Sequence, residues 1–433
     1  MSYIRMLSAL IITIWIIIKV DNKKDRAVLV CICYFVINVL EDTFGNTGVI
    51  ELANYFGISY QLIDMLILIF IGVLILNLRE NAFIKINRYN FLIAILIISN
   101  IYSITIGLIQ FGVSSEWMGD LRSSFAFIFG IIFFSRFFKN EYICAYISLI
   151  DKVFVLILIL SFVIWGLDIG FGFHPLASQL NATLSDGGST MRFIQPFQVL
   201  GITLYALYLL RRDIRTKRSI SLKTVFFLIT VILFQHRSIW MALLAGLIVI
   251  LIQEFFVAKT TVILFLQLLT AVILVLSILF FGNSNLIENM RNSLEIFINI
   301  ITGESVENTT ASTRQDVWRA VISDLDGIYA LFGRPFGYGY GKSIGWVTSP
   351  HSGYIRILGR LGYIGLAVWI TLISNIILKS VRKNMMYLPE FVLCIVAFMY
   401  GYDFTWLCGA VVGSCIAILS NADNQKDKRL FFK

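Results

Sequence analysis

Arg237, Arg314 and His351 are the side chains of this sequence best suited to chemistry, by type and by setting. Arg237 lies between two apolar runs in Gln235-His236-Arg237-Ser238-Ile239-Trp240. An ionised group so near a bilayer core is costly without a partner, which makes it a candidate site residue. The plainer reading is a hairpin residue reaching the interface. His351 follows Pro350 and precedes Ser352-Gly353, at the mouth of an apolar stretch. A neutral imidazole there can accept a proton from a hydroxyl nucleophile. Spacing alone equally describes a capping histidine and rather favours it.

Arginine recurs on one side of the expected topology. Arg122, Arg192, Arg237, Arg291, Arg314, Arg319, Arg334, Arg356 and Arg360 fall there, with Lys342 as the single lysine. The opposite loops mix the two cations freely. Topology requires only positive charge, whereas planar, bidentate recognition of phosphate or carboxylate requires arginine. Chance plus interfacial snorkelling explains any one of them about as well. As a set they point to anion recognition, so Arg122, Arg192, Arg319 and Arg334 join the expected binding residues. Tyr338 and Tyr340, in Gly337-Tyr338-Gly339-Tyr340-Gly341-Lys342, and Tyr354 are expected sugar contacts, against the alternative of an ordinary surface turn. The glycine stretch lacks the strand and the spacing of a nucleotide-phosphate loop. Asp324 and Asp326 diverge on a helix and make no hydrolytic pair. Three scattered histidines offer no metal-ligand set, so no metal or cofactor is expected.

The elements that must position these groups are membrane helices. Of 433 residues, 58% are hydrophobic and 14% charged, against about one-quarter charged in soluble domains. Continuous apolar runs favour helices over a barrel. We expect an all-α polytopic membrane protein with helices at 6–20, 27–40, 60–77, 91–110, 123–137, 146–167, 196–210, 224–236, 238–256, 262–282, 361–379, 389–401 and 407–420. The count is twelve or thirteen. Ser8 to Lys19 is apolar, but Asp21-Asn22-Lys23-Lys24 rather than a small-residue cleavage site follows it, so it reads as a first helix rather than a signal. The six cysteines lie in or beside apolar segments and read as reduced, buried thiols. The net charge of +9 does not mark a nucleic-acid binder. Its cations concentrate in short loops such as Arg211-Arg212-Asp213-Ile214-Arg215-Thr216-Lys217-Arg218, as the positive-inside rule requires. No repeat or linker divides the chain, which is expected to be one membrane domain. Two outer loops remain: a smaller one at 168–195, and a large one at 283–360 with room for two or three short helices. Ser312-Thr313-Arg314-Gln315-Asp316-Val317-Trp318 reads as one helix start, and Gly333 to Gly345 as irregular.

Three segments resemble the O-antigen ligase/polymerase superfamily of bacterial surface-glycan enzymes. Gln235-His236-Arg237-Ser238-Ile239-Trp240 to Gly246 is similar to the family's arginine-bearing helix start, with His236 where a small residue is usual. Thr313-Arg314-Gln315-Asp316-Val317-Trp318 resembles its outer-loop helix. Gly333-Arg334-Pro335-Phe336-Gly337, Pro350-His351-Ser352-Gly353-Tyr354 and Gly362-Tyr363-Ile364-Gly365 resemble the segment that closes the loop, with Ser352 in place of the usual asparagine. The resemblance implies a GT-C-like, metal-independent glycosyltransferase of the bacterial inner membrane, its site facing the periplasm. It implies undecaprenyl-diphosphate-linked oligosaccharide as substrate. Arg237 and Arg314 would hold the diphosphate, and His351 would activate the acceptor hydroxyl. Within the superfamily the chain looks more like a Wzy-type polymerase than a ligase, and a membrane protein that regulates chain length is a possible partner. A flippase would show charge inside several helices instead.

Overall fold

The computed structural model describes residues 51–55, 58–76, 88–137, 140–171, 194–216, 219–234, 236–254, 310–340, 349–383 and 387–424, with a few isolated positions besides. The helices expected at 6–20 and 262–282, most of 27–40, most of the 168–195 loop with Arg192, and nearly all of 283–309 lie outside the described residues.

The chain there is helical apart from one short antiparallel hairpin, β1 (Glu51–Tyr55) with β2 (Ile58–Gln61), which runs into the first two positions of the helix expected over 60–77. The helices follow as α1 (Leu62–Leu76), α2 (Arg88–Phe111), α3 (Ser115–Phe137), α4 (Asn140–Phe171), α5 (Pro196–Thr216), α6 (Leu222–Leu233) and α7 (Arg237–Ile252). After the gap come α8 (Thr310–Ser323), α9 (Gly327–Phe332), α10 (Gly353–Arg382), α11 (Leu388–Gly401) and α12 (Trp406–Asn424). Tyr89–Phe111, Ser115–Arg136 and Gly353–Arg382 are long and apolar enough to cross a membrane. The architecture is that of an α-helical membrane protein.

Lipid tails are as apolar as leucine, so these helices are held by close packing more than by apolar burial. The α3–α12 pair shows how the sequence achieves it. Gly409 and Gly413 repeat at a spacing of four on α12. A β-carbon at Gly409 would lie 2.1 Å from the Phe127 carbonyl oxygen, and one at Gly413 would lie 2.5 Å from that of Ile131. Gly130 on α3 answers them, 2.9 Å from the Trp406 carbonyl oxygen by the same measure. Only glycine lets these backbones meet.

Two boundaries differ from expectation. The loop expected over 111–122 shrinks to Gly112–Ser114, with Gly112 at φ 65°, and Asp120 and Arg122 ride inside α3. The helix expected from 361 starts at Gly353. At about 1.5 Å per residue, the 30 residues of α10 would run some 45 Å, more than the roughly 30 Å of a hydrocarbon core. Gly362, at φ 63° and ψ −166°, interrupts it. The first part caps the site end of the bundle; the second, 363–382, is about one bilayer long.

Candidate functional site

The turn after α11 gathers the candidate catalytic residues. Arg314, on the second turn of α8, donates from Nη1 to the Gly401 carbonyl at 3.1 Å. Gly353, just past His351, donates its N–H to the Tyr402 carbonyl at 3.0 Å. The His351 and Tyr402 rings stand 6.4 Å apart. Arg237 is the first residue of α7, and Ser238 beside it abuts Gly401: a β-carbon on Gly401 would come 3.2 Å from that of Ser238. His236 fixes this helix start by bonding through Nε2 to the Ile194 carbonyl at 2.6 Å. A single turn, Gly401–Tyr402, therefore touches α8, the His351 turn and the start of α7.

His351 itself is held in an unusual backbone state. Its φ is 51°, in the left-handed region that a residue with a β-carbon enters only at a cost of about 1 kcal/mol or more. Its neighbours fasten that turn. Trp318 Nε1, from α8, donates to the Pro350 carbonyl at 2.8 Å. The His351 N–H donates to Ser349 Oγ at 3.1 Å, and Ser349 Oγ donates in turn to the Asp403 carboxylate. Asp403 also accepts from Arg356 Nη1 at 2.5 Å.

Beneath the turn runs a buried ionic network. Asp120 of α3 meets Arg360 Nη2 at 2.7 Å and Arg356 Nη2 at 3.5 Å. It accepts from the Tyr340 hydroxyl at 3.0 Å and from the Gly337 N–H at 3.1 Å. The Arg360 guanidinium lies 4.0 Å over the Tyr340 ring, and Arg356 Nε donates to the Tyr340 hydroxyl at 3.1 Å. Asp120 and Asp403 thus balance Arg356 and Arg360. Arg314 stands outside that balance, with one of its five donors on a backbone carbonyl.

Burial, reinforced by the positive charge of Arg314 and Arg356, lowers the His351 imidazole from 6.5 to about 4. At neutral pH the ring is uncharged, the form that can take a proton. Burial raises the phenol of Tyr340, which stays protonated as a donor to Asp120.

The other expected site residues are spread more widely. Tyr340 is buried in the ionic network. Tyr354 packs inward and donates to the Val396 carbonyl at 3.0 Å. Arg122 is paired away from the turn, its Nε donating to Asp64 at 2.9 and 3.1 Å, which ties α3 to α1. Arg319 is exposed on the far face of α8, 3.7 Å from Asp316. Arg334 closes the α8–α9 connection by donating to the Asp324 carbonyl at 2.8 and 2.5 Å and to Asp326 at 3.0 Å, with Tyr329 and Tyr338 stacked against it. The structure thus brings Arg314, His351 and the Arg237 helix start together, and keeps Arg122, Arg319 and Arg334 apart from them.

Sequence reasoning missed Asp120, Asp403 and Ser349, and placed Arg356 and Arg360 only as outer cations. A signal existed for the carboxylates: each interrupts an apolar segment, where a charge needs a reason. Among the described residues no group of His, Cys, Asp and Glu forms a metal-binding set.

Comparison with curated proteins finds no match. The family model described as O-antigen ligase does match, over residues 222–370, the stretch that carries Arg237, Arg314 and His351. This stretch is thus similar to the O-antigen ligase/polymerase superfamily, which supports a function of the O-antigen ligase/polymerase type.

Proposed function

We propose that the protein polymerises undecaprenyl-diphosphate-linked repeat units of O-antigen, or of a related surface polysaccharide, at the periplasmic face of the inner membrane. The observation that carries the reading is the convergence of Arg314, the His351 turn and the Arg237 helix start on Gly401–Tyr402. In this reaction the acceptor sugar hydroxyl attacks the anomeric carbon of the donor glycan. The new glycosidic bond forms as the carbon–oxygen bond to the lipid diphosphate breaks. The hydroxyl proton passes to the neutral His351 imidazole, and the leaving diphosphate takes the electron pair. Arg314 and Arg237 stabilise its growing charge as fixed guanidinium donors, which act most strongly where water is excluded. The leaving group is already activated, so the chemistry asks for charge stabilisation and one base.

Replacing Arg314 by Lys keeps the charge and removes the fork, and is expected to lower transfer about 100-fold, the scale of one lost charge-stabilising donor. A variant with wild-type transfer refutes the diphosphate role.

Ligation is the second reading, favoured by the match to the family described as O-antigen ligase. Deletion followed by glycan analysis separates the two. Single repeat units on lipid A-core identify a polymerase, and long chains retained on the lipid carrier identify a ligase. Co-purification under mild detergent tests for a chain-length-regulating partner.

A further inference from the structure

The short helix α9 has an apolar face that the other described residues leave exposed. Ile328, Leu331 and Phe332 stand at i, i+3 and i+4, which places them on one side of a helix. They are 59%, 50% and 38% exposed. In a soluble loop such a cluster would be a liability. Two independent features fix where this face lies relative to the bilayer.

The first is the seat of α9 on α10. A β-carbon at Gly362 would fall 2.2 Å from the Leu331 carbonyl oxygen, so the end of α9 rests directly on the Gly362 break. That break starts the bilayer-length part of α10, whose lipid-facing side exposes Tyr363, Ile370, Leu378 and Val381. The second is the neighbour on α2. The Phe332 ring lies 5.6 Å from that of Tyr102. Tyr102 continues the exposed apolar strip of Ile98 and Ile101 on that membrane helix. The apolar face of α9 is therefore continuous with the lipid-facing surfaces of two membrane-crossing helices, at the level where one begins. Tyr102 and Tyr363 suit the aromatic belt found at that depth. Residues on the other side of the connection turn to water, with the Asp326 side chain 78% exposed.

We infer that α9 is inserted into the interfacial region of the leaflet on the His351 side, and that lipid is the partner of its Ile328–Leu331–Phe332 face. The contact sets the height of the outer segment. Arg334 holds α9 to the end of α8, and α8 carries Arg314 and Trp318. Anchoring α9 at the headgroup level holds those residues at a fixed depth, close to where any lipid-linked headgroup must sit. The inference rests on the packing and on the membrane architecture, and stands whichever transfer reaction the site performs.

Single cysteines at Ile328→Cys and Leu331→Cys, with Gln315→Cys on exposed α8 as the water-facing control, test it. The full chain is reconstituted in phosphatidylcholine–phosphatidylglycerol vesicles and labelled with an environment-sensitive fluorophore, after subtraction of label taken up by the parent protein. The expected result is a blue-shifted emission at 328 and 331. Shallow spin-labelled lipid should quench it, with iodide quenching several-fold weaker than at 315. Equal iodide quenching at all three positions overturns the inference. So does protection from both quenchers, which would mean that protein covers the face.

Discussion

Charge is buried at both ends of this helix bundle, but it is used differently. At one end, Arg211 of α5 reaches Glu254 at the end of α7 at 3.0 Å and Gln253 at 2.6 Å, with Glu390 of α11 at 3.8 Å. Arg215 adds a contact to Glu254 at 2.7 Å, and Asp213 accepts from Ser221 and from Thr224. Three helices are fastened there by ions that meet one another. At the other end, Asp120, Asp403, Arg356 and Arg360 make a similar closed set, yet Arg314 and a strained, neutral histidine stand beside it. The contrast is between charge matched ion to ion and an arginine, Arg314, whose guanidinium donates to a backbone carbonyl rather than to a carboxylate. Buried pairs resist disruption because removing one partner strands the other. A binding group must instead keep donors in reserve.

The largest effect that tests this contrast is His351→Ala. Loss of a general base is expected to lower transfer by about 10²- to 10⁴-fold, with yield and melting temperature near wild type. Transfer within tenfold of wild type would remove the site end's claim to chemistry. Next comes Glu254→Ala at the Arg211 end. Stranding a buried arginine is expected to cost on the order of 3–5 kcal/mol of stability, read as a lowered melting temperature in detergent. Transfer per folded molecule should hold. If activity falls while stability does not, the two ends are not divided as described.

A pH series gives the third test. His351 is lowered to about 4, so kcat/KM should stay level from neutral pH to about 5 and decline only as pH approaches 4. An acid limb centred at 6.5 would show an ordinary, solvated histidine. The stability contribution has its own sign. The unfolded chain takes up a proton below 6.5 and the folded one only near 4, so this contribution is full above 6.5 and is lost between those values as pH falls. Trp318→Phe is the mildest change. It removes the bond to the Pro350 carbonyl, worth about 1 kcal/mol, and should reduce transfer a few-fold by loosening the His351 turn. A loss as large as that of His351→Ala would make Trp318 part of the chemistry.

The helical membrane class was legible because lipid demands long apolar runs. Arg237, Arg314 and His351 were singled out together by the resemblance of their segments to the family, since spacing alone rather favoured a capping role for His351. The irregular stretch from Gly333 was legible from its glycines; Gly333, Gly337 and Gly339 all take positive φ. What escaped was pairing. Asp403 lies 52 positions beyond His351 and Asp120 lies 240 before Arg360, and no local pattern links residues so far apart. For the same reason Arg122 looked available for a substrate, when Asp64 of α1 had already engaged it. Arginine type pointed to an anionic partner; it did not say whether that partner would be a ligand or a carboxylate on a neighbouring helix, as Asp64 is for Arg122.

The mutual seat of Gly333 and Gly362 has a practical consequence for anyone exchanging outer segments between related proteins. A β-carbon on Gly333 would lie 2.3 Å from the Arg360 carbonyl carbon, just as one on Gly362 would strike Leu331. Each glycine is shaped to the other's backbone, so the two stretches form one interchangeable cassette. A graft that replaces residues 310–340 alone would set a foreign loop on a native notch and fail to seat. A chimera that moves its downstream junction past Gly362, carrying the His351 turn along, keeps both halves of the fit.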